Sequence, residues 1–190
     1  MIEAIAEHSL DTSLLSSGCY VLDIGCLGFA FGDQLRRRYS ARVYEIDISD
    51  LGKDRAYYRC GIAAADGSGG VSTVPAHDSR QLIPGDHFRV YTIESFSKHV
   101  GVPYWDVIKM DCEGSEYDIL WNLQKPPAKQ ITVEFHQHTE ARRSEEFVQQ
   151  IVEKLSQWYE VRQHQQWGKN RLSLNWWDSL FTLKNPLTIL

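Results

Sequence analysis

The sequence predicts an α/β fold in which helices cover both faces of a mostly parallel sheet with an antiparallel last strand. Strand-like apolar runs alternate with helical patterns along most of the 190 residues, which is typical of a parallel sheet. A glycine-rich turn follows the first long strand-like run, "CYVLDIG". The last two such runs, "YEVRQH" and "DSLFTL", are separated by a segment too short for a crossover helix, so we expect antiparallel neighbours.

The N-terminal residues carry apolar side chains near helical spacing. These are Ile2, Ile5, Ala6, Leu10 and Leu14. We therefore predict an N-terminal helix within residues 1–17, followed by a core over residues 18–190, with no interdomain linker in a single domain of 1–190. After "CYVLDIG", a helical pattern from Phe29 to Tyr39 and a second strand, "ARVYEIDIS", complete the start of a β-α-β unit.

The remaining elements are predicted in chain order. "RAYYRCGIAAA" is a third strand, "DGSGG" a turn, and residues 75–88 a loop. "RVYTIESFSKHVG" is a short strand running into a helix closed by Gly101. "WDVIKM" is a strand, and the next helix begins with Ser115 as N-cap and Asp118 three residues later. "ITVEFH" is another strand, followed by a helix from Ala141 to Trp158.

Composition excludes several classes of protein. The net charge of −5 argues against nucleic acid as a partner, because phosphate binding needs a basic surface. The only basic cluster, Arg36-Arg37-Arg38, is read as a solvated helix face, with an interaction role as the alternative. No run is long enough to span a membrane, and no signal peptide is expected. Four cysteines without CxxC spacing indicate reduced thiols and a cytoplasmic protein.

The turn after the first strand has the features of a nucleoside-cofactor site. In open α/β sheets, ligands bind at the carboxyl ends of the strands. "VLDIGCLGFAFG" places Asp23, Gly25 and Gly28 at such an end, where glycines allow close approach of a ligand. Asp47 ends the second strand about twenty residues later, where a carboxylate can accept both ribose hydroxyl protons. The glycine spacing does not meet the G-x-G-x-x-G dinucleotide fingerprint, so a nicotinamide-dependent oxidoreductase is the least favoured reading.

A set of segments resembles the FkbM-type family of S-adenosylmethionine-dependent methyltransferases. The set is "VLDIGC", "VYEIDIS", "GIAAADGSG", "RVYTIESF", "VIKMDCEGSEYDIL" and "ITVEFH". The most specific match is "KMDCEGSE", residues 109–116, which looks like that family's K-I-D-x-E-G-x-E signature. The resemblance covers roughly Tyr20 to His136. It implies a class I, Rossmann-like fold, S-adenosylmethionine as cofactor, and methylation of a hydroxyl on a sugar, glycan or natural product.

Two departures from the family pattern concern the cofactor contacts. "GCLG" is one residue shorter than the usual turn, and Glu45-Ile46-Asp47 stands where the family often has Glu-Pro. We favour Asp47 as the ribose ligand, with Glu45 as the alternative. The resemblance implies an adenine contact for Asp66, for which a plain turn aspartate is the alternative. The expected cofactor-binding residues are Asp23, Gly25, Cys26, Gly28, Asp47 and Asp66, with Asp23 organising the turn and the amino-acid end of the cofactor.

Carboxylates and a histidine are expected to meet on the acceptor side. Asp111 ends its strand beside the expected position of the methyl group and is the leading candidate for positioning the acceptor or serving as general base. Glu113 follows in the turn and could face the same crevice. Strand alternation in "ITVEFHQH" puts Glu134, His136 and His138 on one face, where a buried parallel strand would be apolar. The candidate catalytic residues are Asp111, Glu113, Glu134 and His136, with histidine the usual base near neutral pH. Glu116 is explained equally well by the helix dipole.

The same groups allow a second use. Asp111, Glu134 and His136 are candidate ligands for a divalent metal that would orient a hydroxyl-bearing acceptor. Loop residues that could shape the acceptor pocket are His77, Asp78, Arg80, Trp167, Lys169, Asn170, Arg171, Trp176 and Trp177. The expected partner is a small-molecule or glycan acceptor. The alternative function is a non-catalytic domain that binds S-adenosylmethionine or a partner protein, for which the shortened turn is the best support.

Overall fold

A computed structural model describes residues 1–52, 56–70, 85–136, 145–169 and 175–185, without the side chains of 163–169 and 175–177. Four helices are present in these ranges: α1 (Ala30–Tyr39), α2 (Ile93–Val100), α3 (Glu116–Asn122) and α4 (Glu145–Leu155). The strands are β1 (Ile2–Ile5), β2 (His8–Asp11), β3 (Tyr20–Ile24), β4 (Arg42–Asp47), β5 (Tyr58–Arg59), β6 (Gly61–Ile62), β7 (Gly67–Gly70), β8 (His87–Tyr91), β9 (Trp105–Met110), β10 (Ala128–His136), β11 (Tyr159–Lys169) and β12 (Asn175–Leu183).

Seven strands form the central sheet in the order β11-β12-β10-β9-β3-β4-β5. The pairs from β10 to β5 are parallel, whereas β12 is antiparallel to both of its neighbours, β10 and β11. The predicted fold class, a Rossmann-like sheet with an antiparallel last strand, is confirmed. The order places the carboxyl ends of β3, β4, β9 and β10 along one edge, where a site is expected.

Both faces of the sheet are covered, as predicted. Consecutive strand residues such as Leu22 and Val21 enter different hydrophobic clusters, because side chains alternate across a strand. The cluster around Leu22 includes residues of α2, α3 and α4. The cluster around Val21 includes Phe31 and Leu35 of α1 together with the N-terminal segment. Strands buried on both faces explain the nearly continuous apolar runs in the sequence.

The predicted N-terminal helix is wrong. β1 and β2 form an antiparallel hairpin in which Ile5 pairs with His8 across a two-residue turn, and Ala6 adopts a positive φ of 53°. The buried residues Ile5, His8 and Leu10 fit strand alternation as well as helical spacing. Hydrophobic periodicity therefore did not distinguish a helix from a hairpin in this segment. A long-range contact stabilises the hairpin. The buried side-chain amide of Gln130 in β10 accepts a hydrogen bond from Asp11 N at 2.9 Å and donates one to Asp11 O at 3.3 Å.

A small second sheet was not predicted. It has the order β6-β8-β7, and β7 is the "GSGG" segment that we expected to be a turn. The glycines suit this strand because the Phe88 ring lies against its backbone, where a Cβ on Gly69 would come within 2.4 Å of the ring. The predicted third strand is divided: β5 joins the main sheet, and β6 joins the small one.

Of the predicted loop 75–88, residues 75–84 lie outside the described residues, and His87 and Phe88 belong to β8. The predicted helix Ala141–Trp158 corresponds to α4, which ends at Leu155, and residues 141–144 also lie outside the described residues. The remaining predicted helices and strands are confirmed within the described ranges, with one correction at α3. Ser115 precedes this helix but makes no side-chain capping hydrogen bond. Instead, the Glu116 carboxylate accepts a hydrogen bond from Gly114 N at 2.7 Å. No helix in the described part of the chain is long and apolar enough to cross a membrane.

Candidate functional site

A cleft of about 400 Å³ lies at the carboxyl ends of β3, β4 and β9, and we call it the main cleft. Its floor comes from the ends of these strands, and its opposite wall comes from β6, β7 and β8 of the small sheet. The strand-end residues that line it are Ile24, Gly25, Ile46, Asp47, Ile48, Asp111, Cys112, Glu113 and Ser115. Its position at the strand ends and its lining of both apolar and polar residues are typical of a cofactor site on an open α/β sheet.

Gly25 joins three strand ends at the floor of the main cleft. Its φ is +77°, and a Cβ added there would lie 1.8 Å from the Asp111 backbone oxygen. Gly25 N donates to Ile46 O at 2.9 Å, and Asp111 N donates to Ile24 O at 3.1 Å. Glycine is therefore required by the close approach of β9 to the turn, in addition to any approach of a ligand.

Asp23 lies beneath this turn and pairs with Lys109. The Asp23 carboxylate is 3.2 Å from Lys109 Nζ, and both side chains are almost fully buried. Lys109 also donates to the backbone oxygens of Ile24 and Gly25. Burial raises the pKa of Asp23 to about 6, although the nearby ammonium opposes this. Sequence reasoning missed Lys109 as a site residue: it holds the turn carbonyls in place, and its position inside an otherwise apolar strand was the available signal.

Asp47 and Glu45 have different surroundings although they lie on the same face of β4. Asp47 lines the main cleft, and its carboxylate accepts a hydrogen bond from Ser49 N at 2.8 Å. Glu45 is buried beneath α1, where it accepts from Arg36 Nη1 at 2.7 Å. The geometry favours Asp47 as the ribose ligand and gives Arg36 of the basic cluster a structural partner.

The other predicted cofactor residues are not all at the main cleft. Cys26 is buried beside the turn and lines the neighbouring cleft described below, as does Asp23. Gly28 has a φ of +78° but is not among the residues that line either cleft. Asp66 accepts hydrogen bonds from Thr92 N at 2.6 Å and from the Ser95 hydroxyl at the start of α2. This geometry favours a structural role for Asp66 over an adenine contact.

A second cleft of about 370 Å³ lies between the N-terminal hairpin and the turn after β3, and we call it the hairpin cleft. Its lining includes His8 from β2, Asp23, Cys26, Phe31 and Lys109. Asp111 lines both clefts, and its side chain is 34% exposed. The two clefts are therefore neighbours on either side of this residue.

His136 connects the carboxylates next to Asp111. Its Nε2 atom is 3.2 Å from Glu134 and 3.6 Å from Asp111, and its Nδ1 atom is 3.4 Å from Glu116. Glu116 is fully buried and also accepts from His136 N at 2.9 Å. The predicted convergence of Asp111, Glu134 and His136 is present in the structure. Glu116 joins this group from within the core, whereas Glu113 lies at the main cleft with a φ of +53°.

The surroundings of the two histidines near Asp111 shift their pKa values in opposite directions. Burial alone would lower the pKa of His136, but the Glu116 and Glu134 carboxylates outweigh it and raise the pKa to about 11. Burial lowers the pKa of His8 to about 4, and the Lys109 ammonium adds to this effect. A general base must be unprotonated, so a raised pKa makes His136 a poor base at neutral pH and leaves Asp111, the leading candidate from the sequence, for that role.

We expect nitrogen NMR of the imidazole rings at pH 7 to show His136 charged and His8 neutral. His136→Gln should destabilise the fold because Glu116 would lose its cation. The stability contributed by the His136 charge should be complete below the unfolded pKa of about 6.5 and decline as the pH rises toward about 11. Denaturant unfolding of both proteins between pH 6 and 10 checks the sign. A difference that grows with pH would contradict it.

Asp178 is a further acidic residue that sequence reasoning missed. It pairs with Glu134 across the ladder between β10 and β12, and its Oδ1 atom is buried without a hydrogen-bond partner. Burial raises the pKa of Asp178 to about 7, and the Glu134 and Asp111 carboxylates add to the effect. The strand alternation of "NWWDSLFTL" could have indicated it, because an aspartate there faces the same side as Glu134.

Several predicted loop residues cannot be placed. His77, Asp78, Arg80, His138, Asn170 and Arg171 lie outside the described residues. Trp167, Lys169, Trp176 and Trp177 belong to β11 and β12, but their side chains are not described. Their proposed contribution to an acceptor pocket stays a prediction.

Three solved structures are similar to this chain at low sequence identity. TrmK from M. capricolum, in complex with S-adenosyl-homocysteine, has a TM-score of 0.49 and 11% identity; the alignment covers 91% of this chain and 66% of that protein. A fibrillarin/Nop5p complex has a TM-score of 0.46 and 13% identity; the alignment covers 87% of this chain and 73% of that protein. A precorrin-6y C5,15-methyltransferase from Geobacter metallireducens has a TM-score of 0.42 and 9% identity; the alignment covers 90% of this chain and 82% of that protein. A search of curated protein sequences found no match.

A protein-family model matches a much larger part of the sequence than the signature alone. The model describes the methyltransferase FkbM domain, and it matches residues 36–167, well over half of the chain. The matched range includes Asp47, Lys109, Asp111, Glu134 and His136, which meet at or next to the two clefts. The chain therefore belongs to the FkbM methyltransferase family.

Proposed function

We propose that this chain transfers a methyl group from S-adenosylmethionine to a hydroxyl oxygen of a sugar, glycan or other small-molecule acceptor. Membership of the FkbM family supports the methyl transfer. The observation that carries the proposal is the position of Asp111, a residue that lines both the main cleft and the hairpin cleft and has a partly exposed side chain. A group at this junction can contact the acceptor while the cofactor occupies the neighbouring space.

The residues of the main cleft fit the cofactor. Asp47 lines the cleft at the end of β4 and would accept hydrogen bonds from the ribose hydroxyls. The backbone of the turn at Gly25 and the apolar wall from the small sheet would hold the remainder of the nucleoside. Asp23 and Cys26 are buried beside this turn and would support it where the amino-acid end of the cofactor binds. When bound, the cofactor supplies a methyl group on a positively charged sulfur.

The chain's own contribution is to orient the acceptor and to remove its proton. We assign Asp111 as the group that accepts the hydroxyl proton, because His136 already carries a proton at neutral pH. His136 and Lys109 lie 3.6 Å from the Asp111 carboxylate and fix its orientation. Side chains held at these distances would accelerate methyl transfer mainly by aligning the acceptor with the cofactor. Hydroxyl acceptors suit this geometry because a carboxylate at the junction can hydrogen-bond the hydroxyl before transfer.

The activity is tested with methyl-labelled S-adenosylmethionine and a panel of sugars, polyols and glycan fragments. Transfer of the label to oxygen of at least one hydroxyl acceptor is expected. Transfer to nitrogen or carbon alone would refute the proposed acceptor class. Binding of S-adenosylmethionine without transfer to any acceptor would favour the alternative, a non-catalytic domain that binds the cofactor.

Asp47→Asn is expected to weaken S-adenosylmethionine binding by about tenfold or more, since a charged hydrogen-bond acceptor contributes roughly 1.5–3 kcal/mol. Isothermal titration calorimetry measures the change in Kd. Asp50→Asn is the matched control, because Asp50 lies three residues further along and bonds Gly52 N instead of lining the cleft. Equal affinities for the two variants would remove Asp47 from the cofactor site.

A further inference from the structure

We propose that His8, Asp111 and Glu134 form a binding site for a divalent transition-metal ion where the hairpin cleft meets the end of β9. The three residues come from distant parts of the sequence: the N-terminal hairpin, the end of β9 and the carboxyl-terminal part of β10. The site adds a residue to the acceptor side that neither the family signature nor the predicted metal set contains. Binding of the ion does not depend on the proposed methyl transfer.

The geometry of the three side chains suits a shared ion. One imidazole nitrogen of His8 and one carboxylate oxygen each of Asp111 and Glu134 lie within 4.8 Å of one another. Ligand atoms at about 2.1 Å from a common ion are at most roughly 4.2 Å apart. Side-chain movements of a fraction of an ångström would therefore complete the coordination.

The environment of His8 independently indicates a missing partner. His8 is only 5% exposed, and its Nδ1 atom is buried with no hydrogen-bond partner. Buried polar atoms in folded proteins are nearly always paired, and an orphan of this kind needs a physical explanation. A metal ion bound by the imidazole would fix the orientation of the ring and could account for its burial beside two carboxylates.

The arrangement favours His8 over His136 as the nitrogen ligand. Each ring nitrogen of His136 already faces a carboxylate, with Nδ1 at 3.4 Å from Glu116 and Nε2 at 3.2 Å from Glu134. His136 also lies in a second possible metal group with Asp111 and Glu113. In that group the imidazole itself would have to give up one of these ion pairs, whereas His8 has none among the described residues. An ion bound by His8 would share Asp111 and Glu134 with His136.

A further acidic residue next to the site would help to offset the neighbouring cations Lys109 and His136. Asp178 pairs with Glu134 on the adjacent strand, and its buried Oδ1 atom has no hydrogen-bond partner. It can serve as a further ligand or bond a metal-bound water. One imidazole nitrogen with carboxylate oxygens is a donor set suited to Mn²⁺ and neighbouring first-row ions. An ion here would polarise an acceptor hydroxyl beside Asp111.

The test uses the full chain, stripped of metal with a chelator and titrated with Mn²⁺ alone. Electron paramagnetic resonance of free Mn²⁺ is expected to show one bound ion per chain. His8→Gln should weaken binding by at least about tenfold, and Glu134→Gln should do the same. His87→Gln is the matched control, because His87 is an exposed histidine on β8 and should leave the affinity unchanged.

A measurement on the unmodified chain guards against variants that fail to fold. Bound Mn²⁺ should broaden the ring-proton NMR signals of His8 at concentrations that leave His87 and His99 sharp. Lack of Mn²⁺ binding, or equal binding by His8→Gln and the control, would overturn the proposal. Binding lost in His136→Gln but kept in His8→Gln would assign the ion to the second group instead. None of these readouts needs S-adenosylmethionine or an acceptor, so failure of the proposed enzyme activity would be distinguishable.

Discussion

Asp111→Asn is expected to lower the rate of methyl transfer by about 10²–10⁴-fold, the usual contribution of a positioned general base. The amide has nearly the same shape as the carboxylate but cannot accept the hydroxyl proton. The loss should fall on kcat, measured with a saturating hydroxyl acceptor and methyl-labelled S-adenosylmethionine. Cofactor binding should persist, because Asp47 and the turn at Gly25 are unchanged.

Asp118→Asn is the matched control for this experiment. Asp118 lies seven residues further along the same segment, but it is exposed in the first turn of α3. The same chemical change should therefore leave kcat nearly unaltered. Full activity of Asp111→Asn would show that another group accepts the proton, and the neutral imidazole of His8 would then be the next candidate.

Gly25→Ala is expected to destabilise the fold by more than about 4 kcal/mol, which is the range of severe core defects. The new Cβ would lie 1.8 Å from the Asp111 backbone oxygen, so the turn and the end of β9 would have to separate. The positive φ of +77° adds strain for any residue with a side chain. Denaturant unfolding measures the loss, and reduced binding of S-adenosylmethionine should accompany it.

Gly28→Ala separates the effect of contact from the effect of backbone conformation. Its φ of +78° is almost the same, but a Cβ there has no atom within 4 Å. We expect only the conformational cost of about 1–2 kcal/mol. If both variants lose the same stability, the close approach between Gly25 and β9 is not what makes glycine necessary.

Much of the sheet could be predicted because its elements have strong local signals. The runs "YVLDI", "RVYEID" and "WDVIKM" are continuous, apolar and bounded by turns, so their lengths and positions follow from the sequence. In the N-terminal segment, by contrast, the spacing of the apolar residues fits both a helix and a pair of strands. Its hairpin depends on Gln130, 119 residues from Asp11, and no local pattern contains that contact.

The candidate site, too, could be predicted only in part from the sequence. Asp47, Asp111, Glu134 and His136 could be identified because parallel strands bring their carboxyl ends to one edge. The charge of His136 could not be predicted, because it depends on the buried Glu116 from another element. His8 and Asp178 were missed because a hairpin and an antiparallel strand bring them to Asp111 and Glu134 from the two ends of the chain.

The sequence by itself determined most strands and helices of the main sheet, the glycine turn, the family signature and the acidic residues at the strand ends. Only the tertiary structure decided which of these side chains are paired. Hydrogen bonding and burial set whether a histidine is charged and whether a carboxylate supports the core or faces a cleft, and both depend on neighbours that are distant in sequence. Asp111 is therefore foreseeable as a site residue, whereas its meeting with His8 and the protonated His136 is a property of the fold.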